Sequence, residues 1–320
     1  MVLLVTGAGG HIGSGVARMA LAQGLEVVAT YRGSEPPPIV GDLRGTSRWV
    51  FCDLINREAV AELVKRHKID RCIHCAAIPN EAFARPNPRG AFDANVTATA
   101  NLLEQARLNK WQRIIMVSTG SVFQLRPMHG KPILEDEPPE PKDVYSTTKT
   151  TAEMLCRMYR TEYGLSASVV RISWVYGPPI AVHAPTRGPI PSFLARALSG
   201  ERIDEGGGDF AVSFTFVDDV ANGLLAAARA NNLNHPIYHL GSGKNITLGE
   251  AAEAIKRAVP GAAIALADGT DPWTQFTALR DPLAGTKLEE DTGWKPQYSI
   301  DEGVKIYADW LRQNSHLWSD

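Results

Sequence analysis

The chain opens with an apolar run, Val2-Leu3-Leu4-Val5, that feeds into Thr6-Gly7-Ala8-Gly9-Gly10-His11-Ile12-Gly13. From residue 12 to 21 the apolar positions recur at helical spacing, and Gly24 stands where such a helix would end. A second apolar run at 25–30 follows after one helix, which predicts a strand-helix-strand unit with parallel strands. The alternation continues: runs at 49–52, 69–77, 113–117 and 167–175 predict strands, and periodic stretches at 57–67, 90–109 and 144–163 predict helices. Gly164 closes the last of these helices. Prolines and glycines mark 35–47 and 127–141 as surface loops. Beyond residue 176 the regular pattern breaks, returns at 214–220 with the apolar helix after it, and breaks again into loops and short helices.

This pattern predicts an α/β protein built on a Rossmann-type doubly wound parallel sheet, with a smaller C-terminal substrate-binding lobe. The sheet domain is expected over 1–176 and about 209–240, and the lobe over about 177–208 and 241–320. Each glycine of the first turn has a physical use: Gly7 permits a tight exit from the strand, Gly10 leaves the main chain open to a pyrophosphate, and Gly13 allows close helix packing. The helix that follows offers free N–H groups to phosphate oxygens. At the end of the second strand a carboxylate would bind ribose hydroxyls, whereas a cation suits a 2′-phosphate. Tyr31 and Arg32 stand there, which points to NADP in preference to NAD; an exposed loop arginine is the competing reading.

Composition narrows the partners. The formal net charge of −2 leaves no broad basic field to attract nucleic acid or an anionic membrane. The first strand starts at residue 2 and no apolar run has the length to cross a bilayer, so a cytoplasmic location is expected. Cys52, Cys72, Cys75 and Cys156 fit reduced thiols, and the Cys72/Cys75 pair lies within a predicted buried strand with no second ligand pair, so no metal is assigned.

Tyr145 and Lys149 are four residues apart on one predicted helix, so both project from one face. Removing hydride from an alcohol also releases its hydroxyl proton, and tyrosine titrates too high to accept it unaided. A neighbouring ammonium would favour the phenolate, so Lys149 is expected to lower Tyr145, with Thr119 holding the substrate oxygen. The pair alone arises easily by accident. The order of features does not: Thr6-Gly7-x-x-Gly10-x-x-Gly13, Asp53-Leu54, His74-x-Ala76-Ala77, Asn95-Val96, Ser118-Thr119, Tyr145-x-x-x-Lys149, Arg171, Val175-Tyr176-Gly177-Pro178, Phe214-x-x-Val217-Asp218-Asp219-Val220 and Gly293-Trp294-x-Pro296. With these motifs the sequence resembles the extended short-chain dehydrogenase/reductase family, often called NAD-dependent epimerases and dehydratases.

The resemblance implies a catalytic set of Thr119, Tyr145 and Lys149. It implies cofactor contacts at Gly7, Gly10, His11, Ile12, Gly13, Arg32, Asp53, Leu54, Ala76, Ala77, Asn95, Tyr145 and Lys149, with Asp53 and Leu54 at the adenine and Asn95 fixing the active-site backbone. Substrate contacts are expected at Pro79, Thr119, Gly120, Ser121, Tyr145 and Trp174. Asp218 and Asp219 belong by resemblance to a structural segment. The helices carrying Asn95 and Tyr145 would pair in a homodimer, with Met154, Leu155 and Met158 supplying apolar surface either to that partner or to the core. Relatives acting on nucleotide sugars usually carry asparagine at the position of Trp174 and arginine at that of Val212, both contacting the diphosphate; Arg126, Arg187 or His183 would have to compensate. Gly120-Ser121 stand where dehydratases carry an Asp-Glu pair. The expected function is an NAD(P)-dependent oxidoreductase transferring hydride to or from a small hydroxy or carbonyl compound, sugar-like or a polyol, with an NAD-dependent nucleotide-sugar epimerase and a non-catalytic NADP-sensing regulator as alternatives.

Overall fold

The computed structural model describes residues 1–43, 45–180 and 188–317. In chain order the first half runs β1 (Val2–Thr6), α1 (His11–Ala22), β2 (Glu26–Tyr31), β3 (Arg48–Phe51), α2 (Arg57–Arg66), β4 (Arg71–His74), α3 (Glu81–Ala84), α4 (Pro88–Phe92), α5 (Ala98–Leu108), β5 (Arg113–Thr119), α6 (Val144–Tyr163) and β6 (Ala167–Ile172). The second half runs β7 (Val175–Tyr176), α7 (Pro189–Leu198), β8 (Ile203–Glu205), β9 (Ala211–Val212), β10 (Thr215–Phe216), α8 (Val217–Arg229), β11 (Ile237–Leu240), β12 (Ile246–Thr247), α9 (Leu248–Ala258), β13 (Ile264–Leu266), α10 (Thr286–Thr292) and α11 (Ile300–Gln313).

Seven strands form one parallel sheet in the order β11-β6-β5-β4-β1-β2-β3. Its central strands read as unbroken apolar runs because both faces are covered. On one face α1 and α8 bury Val16, Ala17, Val220 and Leu224 against Leu3, Val5 and Ile73. On the other, α2, α5 and α6 bury Val60, Leu102, Leu103 and Ala152 against Leu4, Cys72 and Met116. The expected doubly wound fold is therefore present. The strand order turns back between β1 and β4, and that reversal opens a crevice at the carboxyl edge of the sheet.

Several elements depart from the sequence reading. The strand expected at 69–77 ends at His74, where Thr6 Oγ1 accepts the Ala76 N–H at 3.2 Å and draws the chain out of the ladder. The strand expected at 167–175 stops at Ile172: Trp174 takes a left-handed φ of 38°, and β7 then pairs with β10 in a separate ladder. The helix expected at 90–109 begins at Pro88 and passes through a wider π turn, Asp93–Thr97, before α5. The loop at 35–47 contains a 3₁₀ segment, Pro38–Leu43, whose Val40 and Leu43 are buried in the sheet core.

The expectation of loops and short helices over 241–320 is corrected most. This region contains α9 and α11, opened by capping boxes at Thr247/Glu250 and Ser299/Glu302. With α7 they enclose a second apolar cluster around Phe193, Phe210, Leu248, Ile255, Val304 and Tyr307. Leu288 of α10 and Trp294 pack into the sheet core instead. The Asp219 carboxylate receives the N–H groups of Gln297 at 2.8 Å and Tyr298 at 3.2 Å, which ties α8 to the segment leading into α11. Among the described residues no helix is long and apolar enough to cross a membrane.

Candidate active site

The crevice is a cavity of about 400 Å³ whose lining includes Gly7, Gly10, His11, Ile12, Gly13, Arg32, Asp53, Leu54, Ala76 and Ala77. Gly7 leaves β1 with φ +63°, and a Cβ there would lie 2.7 Å from Ala76 Cα; a Cβ on Gly13 would lie 2.3 Å from the Gly7 oxygen. Only glycine keeps turn, helix and β4 loop this close. Gly10 caps α1 without a side-chain acceptor, and the N-terminus of a helix directs its first-turn amides and positive dipole end towards an anion. A cradle that any Cβ would fill, closed by a helix N-terminus, fits a dinucleotide pyrophosphate.

At the far end of the crevice Tyr31 packs edge-on against Trp49 and Phe51, each at 6.1 Å between ring centroids, while Arg32 is exposed on the rim. Asn95 does not line the crevice. It is buried behind it, donating to Thr148 Oγ1 at 3.0 Å and accepting the Ile78 N–H at 2.8 Å. Its amide locks the β4 loop to α6, in keeping with a backbone-fixing residue rather than a cofactor contact.

His11, Ile12 and Pro79 also line a second cavity of about 520 Å³, which adds Thr119, Ser121, Tyr145 and Trp174 to Glu81, Gln124, Asp143, Phe276 and Arg280. Gly120 is buried beside Leu283 and Ser173 and faces a separate void of about 10 Å³, so that expected substrate residue does not reach the main cavity. Asp143 and Ser146 form the capping box that starts α6. Glu81 accepts the Tyr145 backbone N–H at 2.9 Å. Together these contacts fix the turn from which the tyrosine ring projects.

Burial pushes the Tyr145 hydroxyl up to about 12, opposed by a hydrogen bond from the Thr119 side chain. Desolvation takes Lys149 down to about 8, with Glu153 pulling it back up. The expectation that Lys149 lowers Tyr145 is corrected for the protein alone. The ammonium donates to the Val117 carbonyl at 2.7 Å, beside Met116 Sδ, and the charges that act on the phenol are those of Asp143 and Arg280 instead.

Sequence reasoning missed Glu153, although it continues the Tyr145/Lys149 spacing by one more turn. Its carboxylate receives Arg171 Nε at 2.9 Å, Arg171 Nη2 at 2.7 Å and Ser118 Oγ at 2.6 Å, all fully buried. The network pins α6 to β5 and β6 directly below the cavity. Glu81, Asp143 and Arg280 were missed as well, and only the Asp143-x-x-Ser146 cap carried a local signal. Trp174 forms an apolar wall, packing edge-on against Phe210 and Phe214 at 6.4 and 6.1 Å. Val212 is buried in the same cluster. Of the residues expected to compensate for them, Arg126 is committed to Glu137 and Asp281 at 2.6 and 2.8 Å, and His183 and Arg187 lie outside the described residues.

The model of the NAD dependent epimerase/dehydratase family matches residues 3–241. A UDP-glucuronate 4-epimerase from Thermodesulfobacterium geofontis is 29% identical, covering 98% of this chain and 97% of its own length. Among solved structures, the UDP-glucose 4-epimerase of Thermotoga maritima with UDP-glucose superposes with a TM-score of 0.88 at 26% identity, covering 98% of this chain and 100% of the other. The Thermus thermophilus UDP-glucose 4-epimerase complex with NAD gives 0.83 at 26% identity, with coverage of 98% and 100%. The family match runs from the first strand of the main sheet to its last, and the alignments to these relatives extend over nearly the whole chain, so this protein belongs to the NAD dependent epimerase/dehydratase family of enzymes.

Proposed function

We propose that the protein is a nicotinamide-dependent oxidoreductase that interconverts a small hydroxy compound and its carbonyl form, with Tyr145 as the proton carrier. The observation that carries this reading is the Thr119–Tyr145 hydroxyl pair, set in a cavity that shares His11, Ile12 and Pro79 with the dinucleotide-shaped crevice. A bound nicotinamide would supply the hydride acceptor or donor. Gly7, Gly10 and Gly13 would admit its pyrophosphate, and Asp53 and Leu54 would meet its adenine end. Thr119 holds the substrate oxygen against Tyr145. In the protein alone Tyr145 keeps its proton at neutral pH, which suits donation to a carbonyl oxygen during reduction. Oxidation needs the reverse transfer, favoured once a positive ring lies beside the phenol. The division into a sheet domain and a substrate lobe is part of this reading, and the separate apolar cluster of α7, α9 and α11 supports it.

NADP is the proposed cofactor, supported by exposed Arg32 on the rim and by the absence of an acid at the end of β2. A homodimer through the π-turn helix and α6 is proposed too. Met154 is 64% exposed and Met158 38%, whereas Leu155 packs into the core, so the three are not all core residues. A monomer in sedimentation at micromolar concentration would reject the dimer.

The relatives favour a second reading, a nucleotide-sugar epimerase, since those named above are UDP-sugar 4-epimerases. Against it, Trp174 walls the cavity and Val212 is buried in the cluster behind it, so neither of the two positions where the resemblance puts diphosphate contacts offers a charge-assisted donor, each contributing roughly 1.5–3 kcal/mol. Calorimetry of UDP, GDP and dTDP with the protein saturated in NADP separates the two readings. No binding is expected; a Kd below about 100 μM, or about 5.5 kcal/mol, would replace the first reading with the epimerase.

A further inference from the structure

The described lining of the 520 Å³ cavity holds one guanidinium or ammonium group, that of Arg280. Two carboxylates also line this cavity, and both accept hydrogen bonds. Glu81 accepts the Tyr145 N–H, and Asp143 accepts from Ser146 N at 2.7 Å, Ser146 Oγ at 2.6 Å and Gln124 Nε2 at 3.2 Å. Arg280 uses its backbone carbonyl to accept from Asn245 Nδ2 at 2.7 Å, yet its guanidinium makes no hydrogen bond or ion pair with any described residue. The buried arginines Arg171 and Arg126 are ion-paired, Arg171 with Glu153 and Arg126 with Glu137 and Asp281, and buried Arg113 donates to Ser166 Oγ and to the Ala227 and Ala230 carbonyls. A partly buried guanidinium whose N–H groups have no hydrogen-bonded acceptor is held at a cost that an incoming anion removes.

The position of this cation says where on the substrate the anion lies. Arg280 lines the same cavity as Asp143 and Tyr145; desolvation brings it down to about 10, and its electrostatic interactions with those two groups oppose that shift. The group it attracts is therefore near the reacting carbon. Its planar fork of donors matches a carboxylate held by two parallel hydrogen bonds. Trp174 and Val212, which line the small void beside it, add no second cation.

We propose that Arg280 receives the carboxylate of the substrate, so that the compound oxidised or reduced is a hydroxy acid and its oxo acid rather than a neutral polyol. This rests on the oxidoreductase reading above. In the oxidation, the carbinol C–H bond breaks and its hydride passes to oxidised NAD(P). The O–H proton passes to Tyr145 and on to solvent, and the carbinol becomes C=O while the carboxylate is unchanged.

The test uses the full-length protein with four- to six-carbon aldonic acids, the polyols of the same length and the corresponding sugar phosphates, followed by nicotinamide absorbance. The acids should exceed the polyols by about 100-fold in kcat/KM, and Arg280→Gln should collapse that preference to within about 10-fold. Arg280→Lys should keep part of it, and NADPH fluorescence titration should show that each variant still binds cofactor. Polyols or phosphates preferred over acids, or a preference unchanged in Arg280→Gln, would overturn the assignment. Binding of D-gluconate and D-glucitol, measured by calorimetry with NADP present, separates this failure from that of the oxidoreductase reading. Tighter gluconate binding that disappears in Arg280→Gln, without turnover of any compound, would keep Arg280 as the carboxylate site and reject the oxidoreductase. Equal binding of the two would reject Arg280.

Discussion

Replacing Lys149 by methionine should stabilise the cofactor-free protein at neutral pH while it damages turnover. Lys149 is 4% exposed, and desolvation brings it from 10.5 to about 8. That difference means that keeping the ammonium charged in the fold at pH 7 costs about 3 kcal/mol. Methionine fills a similar volume without charge but gives up the hydrogen bond to the Val117 carbonyl, a loss of about 1 kcal/mol. The net expectation is a variant more stable by about 2 kcal/mol at pH 7. Below pH 8 the penalty is present in full. As pH rises from 8 towards 10.5, folded Lys149 sheds its proton before the unfolded chain does, and the wild type recovers about 2 kcal/mol by about pH 9.5. The advantage of Lys149→Met should therefore disappear near pH 9.5. Urea denaturation of both proteins at the two pH values measures it. A variant less stable than wild type at pH 7, or a stability gap that does not move with pH, would refute the placement of a desolvated ammonium.

Tyr145→Phe should lower turnover by a factor on the order of 10²–10⁴ while cofactor affinity stays nearly intact, and wild-type activity would sink the proton-carrier role. Arg32→Ala should weaken NADP by about 1.5–3 kcal/mol and leave NAD almost unchanged; equal losses for both would reject a 2′-phosphate contact. His74 is buried between Thr6 Oγ1 at 2.7 Å and Thr99 Oγ1 at 3.1 Å, and burial holds it down at about 3. The folded protein then binds fewer protons than the unfolded chain between about pH 6.5 and 3, so about 4–5 kcal/mol should be lost across that window as pH falls. A His74→Gln variant with an unchanged acid slope would argue against it.

Local patterns carried much of this protein in plain view. The apolar runs that became β1, β2 and β5 are legible because strands buried on both faces are apolar nearly throughout. The limits of α6 are legible because Gly164, in a left-handed conformation at φ 63°, ends it. The Tyr145/Lys149 face and the glycine turn were equally readable, since helical spacing and the need for a missing Cβ are short-range properties. The capping boxes of α9 and α11 are equally local signals, in a region whose pattern otherwise predicts loops and short helices. Tertiary structure decided the rest. The helix spacing could bring Lys149 near Tyr145 but not aim its ammonium, and the nearby Val117 carbonyl drew it aside. Glu81 meets Tyr145 from 64 residues away. Arg280 reaches the cavity from the far end of the chain, and Trp174 becomes its wall only because the backbone turns left-handed at the end of β6. Such meetings follow from how distant elements pack around the sheet and the second apolar cluster, and burial pattern along a single segment holds no record of which distant polar group will arrive there.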